Sequence, residues 1–471
     1  MNLSINWRWR QLWHGFWRRF TEKLLWLSEH PLFGVLSIAF VAFASRFWKL
    51  DGTADIVFDE VYYPKFGQNY LTGMPLFDAH PPLGKYIIAL GIKLLGYAPL
   101  GYRLMSAIAG SLLPLITYEL MWQLSDRRSW AWLTGCFVAL DGLLLVESRF
   151  GLINIYILLF GMLSQLCMVL ALKRSRQRWL WTIATGIMFG ASFSVKWTGL
   201  AYGFGLMAIA IYTRWRYRQA LNWPQAIAAF IFLPIAFYIL QWLPHLALNP
   251  ERDLIELHRQ IFIFHQNLGL DKTEPIHPYC SPWWSWVLLI RPIAYFFEIR
   301  SQGMVEFVHA MGNPILYWCS AIALIIGLGM FVMAGIAYLI QKRVLPQLNF
   351  TFISQNITKK LLAQIPAFTN SKDLGYLGYV LISFAAHWLP WSLSRRCIFL
   401  YHYMPASVYA FATLSLLVSW LWQSPSSQIR AIGSQIWAAI AIGFLFWLPV
   451  YIGLPISSVY MRVLMWLPSW I

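Results

Sequence analysis

The sequence predicts an all-α, polytopic integral membrane protein of about eleven transmembrane helices, formed as a single domain over residues 1–471, and three observations carry that prediction. Of the 471 residues, 59% are hydrophobic and 12% charged, about half the charged share of a typical soluble domain, which excludes an ordinary cytosolic enzyme. Mean hydropathy is +0.55 and Phe, Trp and Tyr make up 17% of the chain, values that no disordered or fibrous chain shows. The net charge of +17 is gathered into short basic runs between apolar stretches, which suits membrane topology and anionic membrane lipids and gives no reason to expect a nucleic-acid partner. Cys136, Cys167, Cys280, Cys319 and Cys397 show no CxxC and no metal-ligand spacing, so neither a disulfide framework nor a zinc site is expected.

The first apolar stretch, Pro31 to Trp48, follows Arg8, Arg10, Arg18, Arg19 and Lys23 without a small-residue cleavage site near its end. It reads as a retained first helix behind a cytoplasmic segment, residues 1–30. Later basic runs are Arg127-Arg128; Lys173-Arg174 with Arg176 and Arg178; Arg214, Arg216 and Arg218; and Lys342-Arg343 with Lys359-Lys360. Placing each in a cytoplasmic loop forces spans at Arg103 to Leu124, Trp130 to Val146, Leu152 to Leu172, Trp179 to Val195, Thr198 to Thr213 and Pro224 to Leu243. Spans at Pro314 to Ile340, Leu374 to Leu389, Phe399 to Trp422 and Ile436 to Ile452 complete the set. Each approaches the roughly 20 residues that a bilayer needs, and the odd count carries the C-terminus out. Two long segments are left outside the cell membrane, about residues 50–102 and 244–313. They hold the unusual residues.

Acids are scarce, so the adjacent Asp59 and Glu60 just after the first span stand out. At the outer face a partly desolvated carboxylate has a raised pKa and can act as a general base; the alternative is an N-cap on a short interfacial helix running through Tyr70. In His80-Pro81-Pro82-Leu83-Gly84-Lys85 the prolines fix an extended turn, Gly84 permits close approach, and Lys85 brings a cation outside against the positive-inside trend. A phosphate suits such a cation. Arg149 is a second one, with an intramembrane pair to Glu147 or Glu60 as the alternative, since ionisable groups at membrane depth cost roughly 2.5–3.5 kcal/mol. Lys196-Trp197 and Arg395-Arg396 repeat the pattern, with snorkelling as their structural alternative. Trp283, Trp284 and Trp286 serve equally as an interface belt or a sugar platform. His258 and His265 share a helical face and read as interfacial side chains.

These residues bring a family into view. The chain resembles the protein O-mannosyltransferases, membrane glycosyltransferases of the GT-C fold, through Phe58-Asp59-Glu60, the run Phe77 to Lys85, Ser148-Arg149-Phe150, Ser194-Val195-Lys196-Trp197, Ser281 to Trp286, Gly312-Asn313-Pro314 and Tyr401-His402-Tyr403-Met404-Pro405. Their shared order covers most of the chain. The resemblance implies inverting transfer of mannose from a polyprenyl-phosphate-mannose donor lipid to Ser or Thr hydroxyls of a secreted polypeptide, at the outer face. It implies Asp59 as general base assisted by Glu60. Lys85, Arg149, Arg395 and Arg396 would hold the donor phosphate, and His80, Trp283, Trp284, Tyr401 and His402 would bind substrate. No metal site and no cofactor is assigned, so activity is expected to persist in EDTA; were a divalent ion required, Asp59 and Glu60 would be its ligands.

Two departures from the family pattern appear. Where relatives often carry an Asp after the Ser-Arg motif, this chain has Asn154, so no second acid is assigned there. The sugar-binding-like domain of eukaryotic relatives cannot fit the middle outer loop of about 70 residues. The competing readings are another GT-C transferase, acting on lipid A or a cell-envelope glycan, and a transporter, against which stand the missing repeats and the clustering of charges at one face.

Overall fold

Without water to bind its polar groups, a backbone in a bilayer must satisfy them internally, and a single apolar stretch does so as a helix. The computed structural model describes residues 2–53, 55–267, 277–341 and 371–471. It opens with a charged helix, α1 (Asn2–Glu29), that meets α2 (Pro31–Phe47) at an angle of 98°. Extended backbone at His30 and the proline that follows it make the corner. Trp17, Thr21, Leu24 and Ser28, at helical spacing, turn α1 toward the protein, while Trp13, Phe16 and Trp26 stay exposed beside Arg18, Arg19 and Lys23. An amphipathic helix so divided suits the membrane surface rather than its interior.

Two short helices, α3 (Tyr63–Thr72) and α4 (Leu83–Leu95), follow the first span. Next come α5 (Pro99–Ser125), α6 (Arg128–Ala139), α7 (Gly142–Arg149), α8 (Asn154–Lys173), α9 (Arg178–Val195) and α10 (Tyr202–Tyr217). The segment α11 (Trp223–Ile227) runs through a π-helical turn into α12 (Leu233–Leu240), and α13 (Leu243–Leu248) and α14 (Leu254–Asn267) lead into the second loop. The remaining helices are α15 (Pro314–Gln341), α16 (Ser371–Trp388), α17 (Met404–Trp422), α18 (Ser427–Tyr451) and α19 (Ser458–Leu464).

Every apolar segment read from the sequence falls on helix. Six spans among the described residues are long and apolar enough to cross a membrane, and the number is at most eight, reached if each of two bent pairs, α1 with α2 and α6 with α7, is counted as one span. The helices α9, α10 and α16 are shorter or more polar, at 18, 16 and 18 residues. The 57° bend between α6 and α7 falls at Asp141, whose side chain caps α7 by accepting from Leu144 N at 2.9 Å and also accepts from Asn313 N at 3.2 Å.

The basic loops lie together at one end of the bundle. Lys173 pairs with Asp126 at 2.9 Å and Arg127 with Asp373 at 2.6 Å, joining the α5–α6 and α8–α9 turns to the start of α16. The Lys342-Arg343 and Lys359-Lys360 runs lie outside the described residues. At the other end, the loop after α2, the second loop, the turn before α17 and the C-terminus meet. Ser281 N donates to Ile398 O at 2.9 Å, and Arg291 Nη1 donates to Ser469 O at 2.7 Å.

Two features here depart from the sequence reading. A three-stranded antiparallel sheet of β1 (Ile293–Ile299), β2 (Met304–Ala310) and β3 (Pro455–Ser457) stands at this end, an addition to the all-α expectation. Cys280 and Cys397 form a disulfide across 117 residues, correcting the expectation of no disulfide. Their separation hides the pairing from any reading of spacing, because only the folded loops bring them together.

A buried ion pair organises the first loop. Arg103 donates to Glu60 from both Nε and Nη2 at 2.8 Å, and its guanidinium also donates to the carbonyls of Leu50, Thr53 and Asp55. Glu60 additionally accepts from Val57 N at 3.0 Å and Gly151 N at 2.7 Å. Breaking such a pair from one side leaves an uncompensated buried charge, so Arg103→Met is expected to lower stability by about 3–5 kcal/mol. It should appear as an earlier thermal transition of the detergent-solubilised protein, most of it recovered in Arg103→Met/Glu60→Met. An unchanged transition in the single variant would remove the pair from this role.

Candidate active site

Phe58, Asp59, Glu60 and Val61 form one 3-10 turn between extended backbone and α3. Phe58 has φ +49°, a left-handed conformation costing an L-residue about 1–2 kcal/mol. Its ring stacks on Tyr295 with centroids 4.1 Å apart and planes within 7°. Strain of this kind persists only where surroundings over-determine it, and it gathers at functional sites. The turn sends its two acids to different environments. Glu60 is wholly committed to Arg103 and two backbone amides. Asp59, in contrast, has no side-chain hydrogen bond or ion pair among the described residues. Burial raises its carboxyl to about 6, partly countered by the charge of Lys196 and reinforced by Asp78.

Behind this turn stands β1. Between Ala294 and Phe296 the register against β2 slips, so Tyr295 is a bulged residue, and bulges re-aim side chains. Its hydroxyl donates to Glu147, whose other oxygen accepts from Asn154 Nδ2 at 3.1 Å. Glu147 lies within electrostatic reach of both Asp59 and Lys196. A second buried acid therefore stands by the site, held by Asn154.

The cations divide into committed and free. Lys85 is buried and donates to Asp78 and to His80 O. Close approach at Gly84 makes this possible, since a Cβ there would come within 2.8 Å of Ile153. Arg149 donates to the carbonyls of Ser45, Arg46, Trp48 and Lys49 at 2.9–3.0 Å, tying α7 to the end of α2; it makes no salt bridge to Glu147 or Glu60. Lys196, in the break between α9 and α10, is buried with Nζ 5.4 Å from the Tyr401 ring centroid and has no ion pair among the described residues. Burial lowers its amine to about 8, against the raising influence of Asp59 and Glu147. Arg396 is half-buried over Trp391 and likewise unpaired among the described residues, while Arg395 is exposed.

A cavity of about 500 Å³ opens beside these groups. Asn154, Lys196, Tyr401 and His402 contribute polar lining; Leu200, Phe204, Trp391, Leu393 and Pro405 contribute apolar lining. His80 is held well below its ordinary value by burial and then by Lys196 and His265, so it is a neutral ring, 5.2 Å from that of His265. The two histidines of α14 turn inward, His258 to Tyr238 at 2.6 Å and His265 to Ala79 O at 2.8 Å. Trp283 packs on Trp388, Trp284 is exposed, and Trp286 stacks on His402. The Cys280–Cys397 disulfide clips the Trp283 loop to the Arg396 loop. No group of three or more His, Cys, Asp or Glu placed to hold a metal ion occurs among the described residues.

Sequence reasoning thus leaves Lys196 with a snorkelling alternative and Glu147 as a partner for Arg149, and it passes over Tyr295. The signal for Lys196 was its place in the Ser194–Trp197 motif; for Tyr295 there was none, because a bulge depends on the partner strand.

Comparison with known proteins agrees with this geometry. Residues 36–102 and 99–248 match the model for dolichyl-phosphate-mannose-protein mannosyltransferase, and residues 250–470 match the C-terminal four-transmembrane region of protein-O-mannosyltransferase. A polyprenol-phosphate-mannose–protein mannosyltransferase of Corynebacterium glutamicum is 25% identical over 462 residues, covering 83% of this chain and 81% of the relative. One of the same description from Mycolicibacterium smegmatis is 23% identical over 513 residues, covering 92% of each. Among solved structures, the S. cerevisiae protein O-mannosyltransferase Pmt1-Pmt2 complex bound to the sugar donor superposes with a TM-score of 0.75 at 15% identity, over 95% of this chain and 94% of that one. ArnT from Cupriavidus metallidurans bound to undecaprenyl phosphate gives 0.52 at 15% identity, over 88% and 69%. The architecture is that of the GT-C glycosyltransferases.

The electrostatics can be tested without an activity. Asp59 is expected to take up its proton near pH 6. Lys196→Met should move that titration to higher pH, because the lost cation favoured the ionised form. The carboxyl C=O infrared band, assigned by its loss in Asp59→Asn, reads both. Titration in the ordinary Asp range of about 4, or no upward move in Lys196→Met, would remove the coupling.

Proposed function

The chain belongs to the protein O-mannosyltransferase family, and on that premise we propose that it moves a mannosyl group from a polyprenyl phosphate carrier to a Ser or Thr hydroxyl of a polypeptide. The observation that carries this reading is the uncommitted, proton-avid carboxyl of Asp59 beside a free buried cation and an apolar cavity. The acceptor oxygen attacks the anomeric carbon as Asp59 takes its proton. The bond from that carbon to the phosphate oxygen breaks on the opposite face, the lipid phosphate leaves with the electron pair, and the configuration inverts. A positioned base supplies roughly 10²–10⁴ in rate. At about 6, the Asp59 carboxyl is ionised at neutral pH yet more basic than an ordinary aspartate.

Lys196 and Arg396 are the cations for the phosphate, since charge building on the leaving oxygen calls for preorganised groups with no competing partner. Lys85 and Arg149 serve instead as positioning residues, one through Asp78 and the His80 turn, the other through the end of α2. Glu60 positions Asp59. Tyr401 and His402 meet the sugar-phosphate from the cavity wall, and the apolar remainder of the cavity accepts the first isoprene units, while His80, Trp283 and Trp284 are not part of that wall.

Two observations support an outer-face site. Disulfides form and persist in oxidising compartments, and Cys280–Cys397 belongs to the same end of the bundle as Asp59. The basic loops gather at the other end, as the positive-inside trend asks. Nucleotide sugars are not available outside the membrane, so a lipid-borne donor is what such a site can use.

Purified protein with a radiolabelled polyprenyl-phosphate-mannose donor and a Ser/Thr-rich peptide provides the test. Label is expected on the peptide. Asp59→Asn should lose about 10²–10⁴ in turnover with its thermal transition unchanged, and Lys196→Met and Arg396→Gln should raise the donor KM. Label appearing on a lipid acceptor instead, or wild-type turnover in Asp59→Asn, would overturn the reading. For orientation, a membrane-impermeant maleimide should label Thr72→Cys in intact cells and leave Ser175→Cys unlabelled; the reverse would place the site among nucleotide sugars.

A further inference from the structure

The acceptor side of the site runs into an unused sheet edge. Strand order is β1–β2–β3, so β1 has β2 on one side and, among the described residues, no strand on the other. Its inner end is anchored at the site through Tyr295, stacked on the residue that precedes Asp59. Exposure then climbs outward, from buried Tyr295 to Phe297 at 51% and Ile299 at 73%. From Tyr295 to Ile299 the strand advances about 13 Å at 3.3 Å per residue. Long, apolar open edges are a liability that proteins usually shorten, charge or cover. This one carries the register slip at Tyr295 and the charge of Glu298, which pairs with Arg300 at 2.7 Å, and among the described residues no strand covers it.

We propose that an extended acceptor polypeptide adds to the free edge of β1 as a further strand, with its Ser or Thr at the Tyr295 end and its neighbouring residues along Phe296 to Ile299. The proposal rests on the reading of Asp59 as base for a polypeptide hydroxyl. A lipid tail could cover Phe297 and Ile299, but it cannot satisfy the N–H and C=O groups of an open edge; a second backbone can. Strand addition draws affinity from main-chain hydrogen bonds and asks little of the side chains. It therefore suits a transferase whose acceptor group is a bare hydroxyl.

The test uses wild-type protein, the mannosyl lipid and a Ser-containing peptide carrying single backbone N-methyl groups at successive positions beside the serine. Because alternate residues of a strand face the partner edge, the peptide KM should rise about fivefold for each lost bond at every second position and stay level between them. A benzophenone side chain two to four residues from the serine should photo-crosslink to residues 296–300. If peptides are mannosylated with no alternation, or crosslink elsewhere, strand addition is overturned while mannosyl transfer stands. Crosslinking to β1 with alternating loss of peptide retention but no mannosylation would keep the docking edge and overturn the transfer. Neither crosslink nor mannosylation would overturn both.

Discussion

Glu60 and Arg103 are buried with opposite charges, and much of the site follows from what that demands. Taking two such groups out of water costs several kcal/mol each and is offset only if every donor and acceptor finds a partner. The requirement recruits the carbonyls of Leu50, Thr53 and Asp55 and the amides of Val57 and Gly151. One pair thereby joins the end of the first span, the Phe58–Val61 turn, the start of α5 and the turn into α8. In a 3-10 turn, successive residues point about 120° apart, so Asp59 is carried away from Arg103 by the same turn that delivers Glu60 to it. Adjacent acids acquire separate duties without any difference in their own chemistry.

The side of the turn that faces Lys196 is incompletely compensated. Asp59, Glu147, Lys196 and Arg396 share a buried region, and the acids are not matched one-to-one by hydrogen-bonded cations. Low local dielectric strengthens each interaction and makes each unpaired charge costly. On the proposed reading, a phosphate here would give Lys196 the hydrogen-bonded anion that it lacks. The apolar cavity beside Lys196 would hold the uncharged part of such a carrier.

Much of this was legible in the sequence. Hydropathy and basic runs locate the apolar segments from α2 to α18, because bilayer thickness and loop charge act locally on the chain. Asp59 was legible as a scarce acid at a membrane boundary. What escaped was non-local. Cys280 and Cys397 meet only when two loops fold together, β3 pairs with a strand about 150 residues earlier, and Tyr295 reaches Glu147 only through a register slip. The cations show the same limit: Lys85, Arg149, Lys196 and Arg396 look alike in sequence, and only their partners separate the two that are tied down from the two that are not.

The Cys280–Cys397 bond carries a mechanical consequence. It joins the Trp283 loop to the Arg396 loop, and two loops stapled together do not part independently. On the proposed reading, a polyprenyl chain would enter by the side wall of the cavity, where Leu200, Phe204 and Leu393 present exposed apolar side chains. The carrier would slide in sideways from the bilayer without leaving it, while the acceptor proposed above would approach over the sheet. Two substrates of opposite solubility would then reach one carbon atom by separate routes.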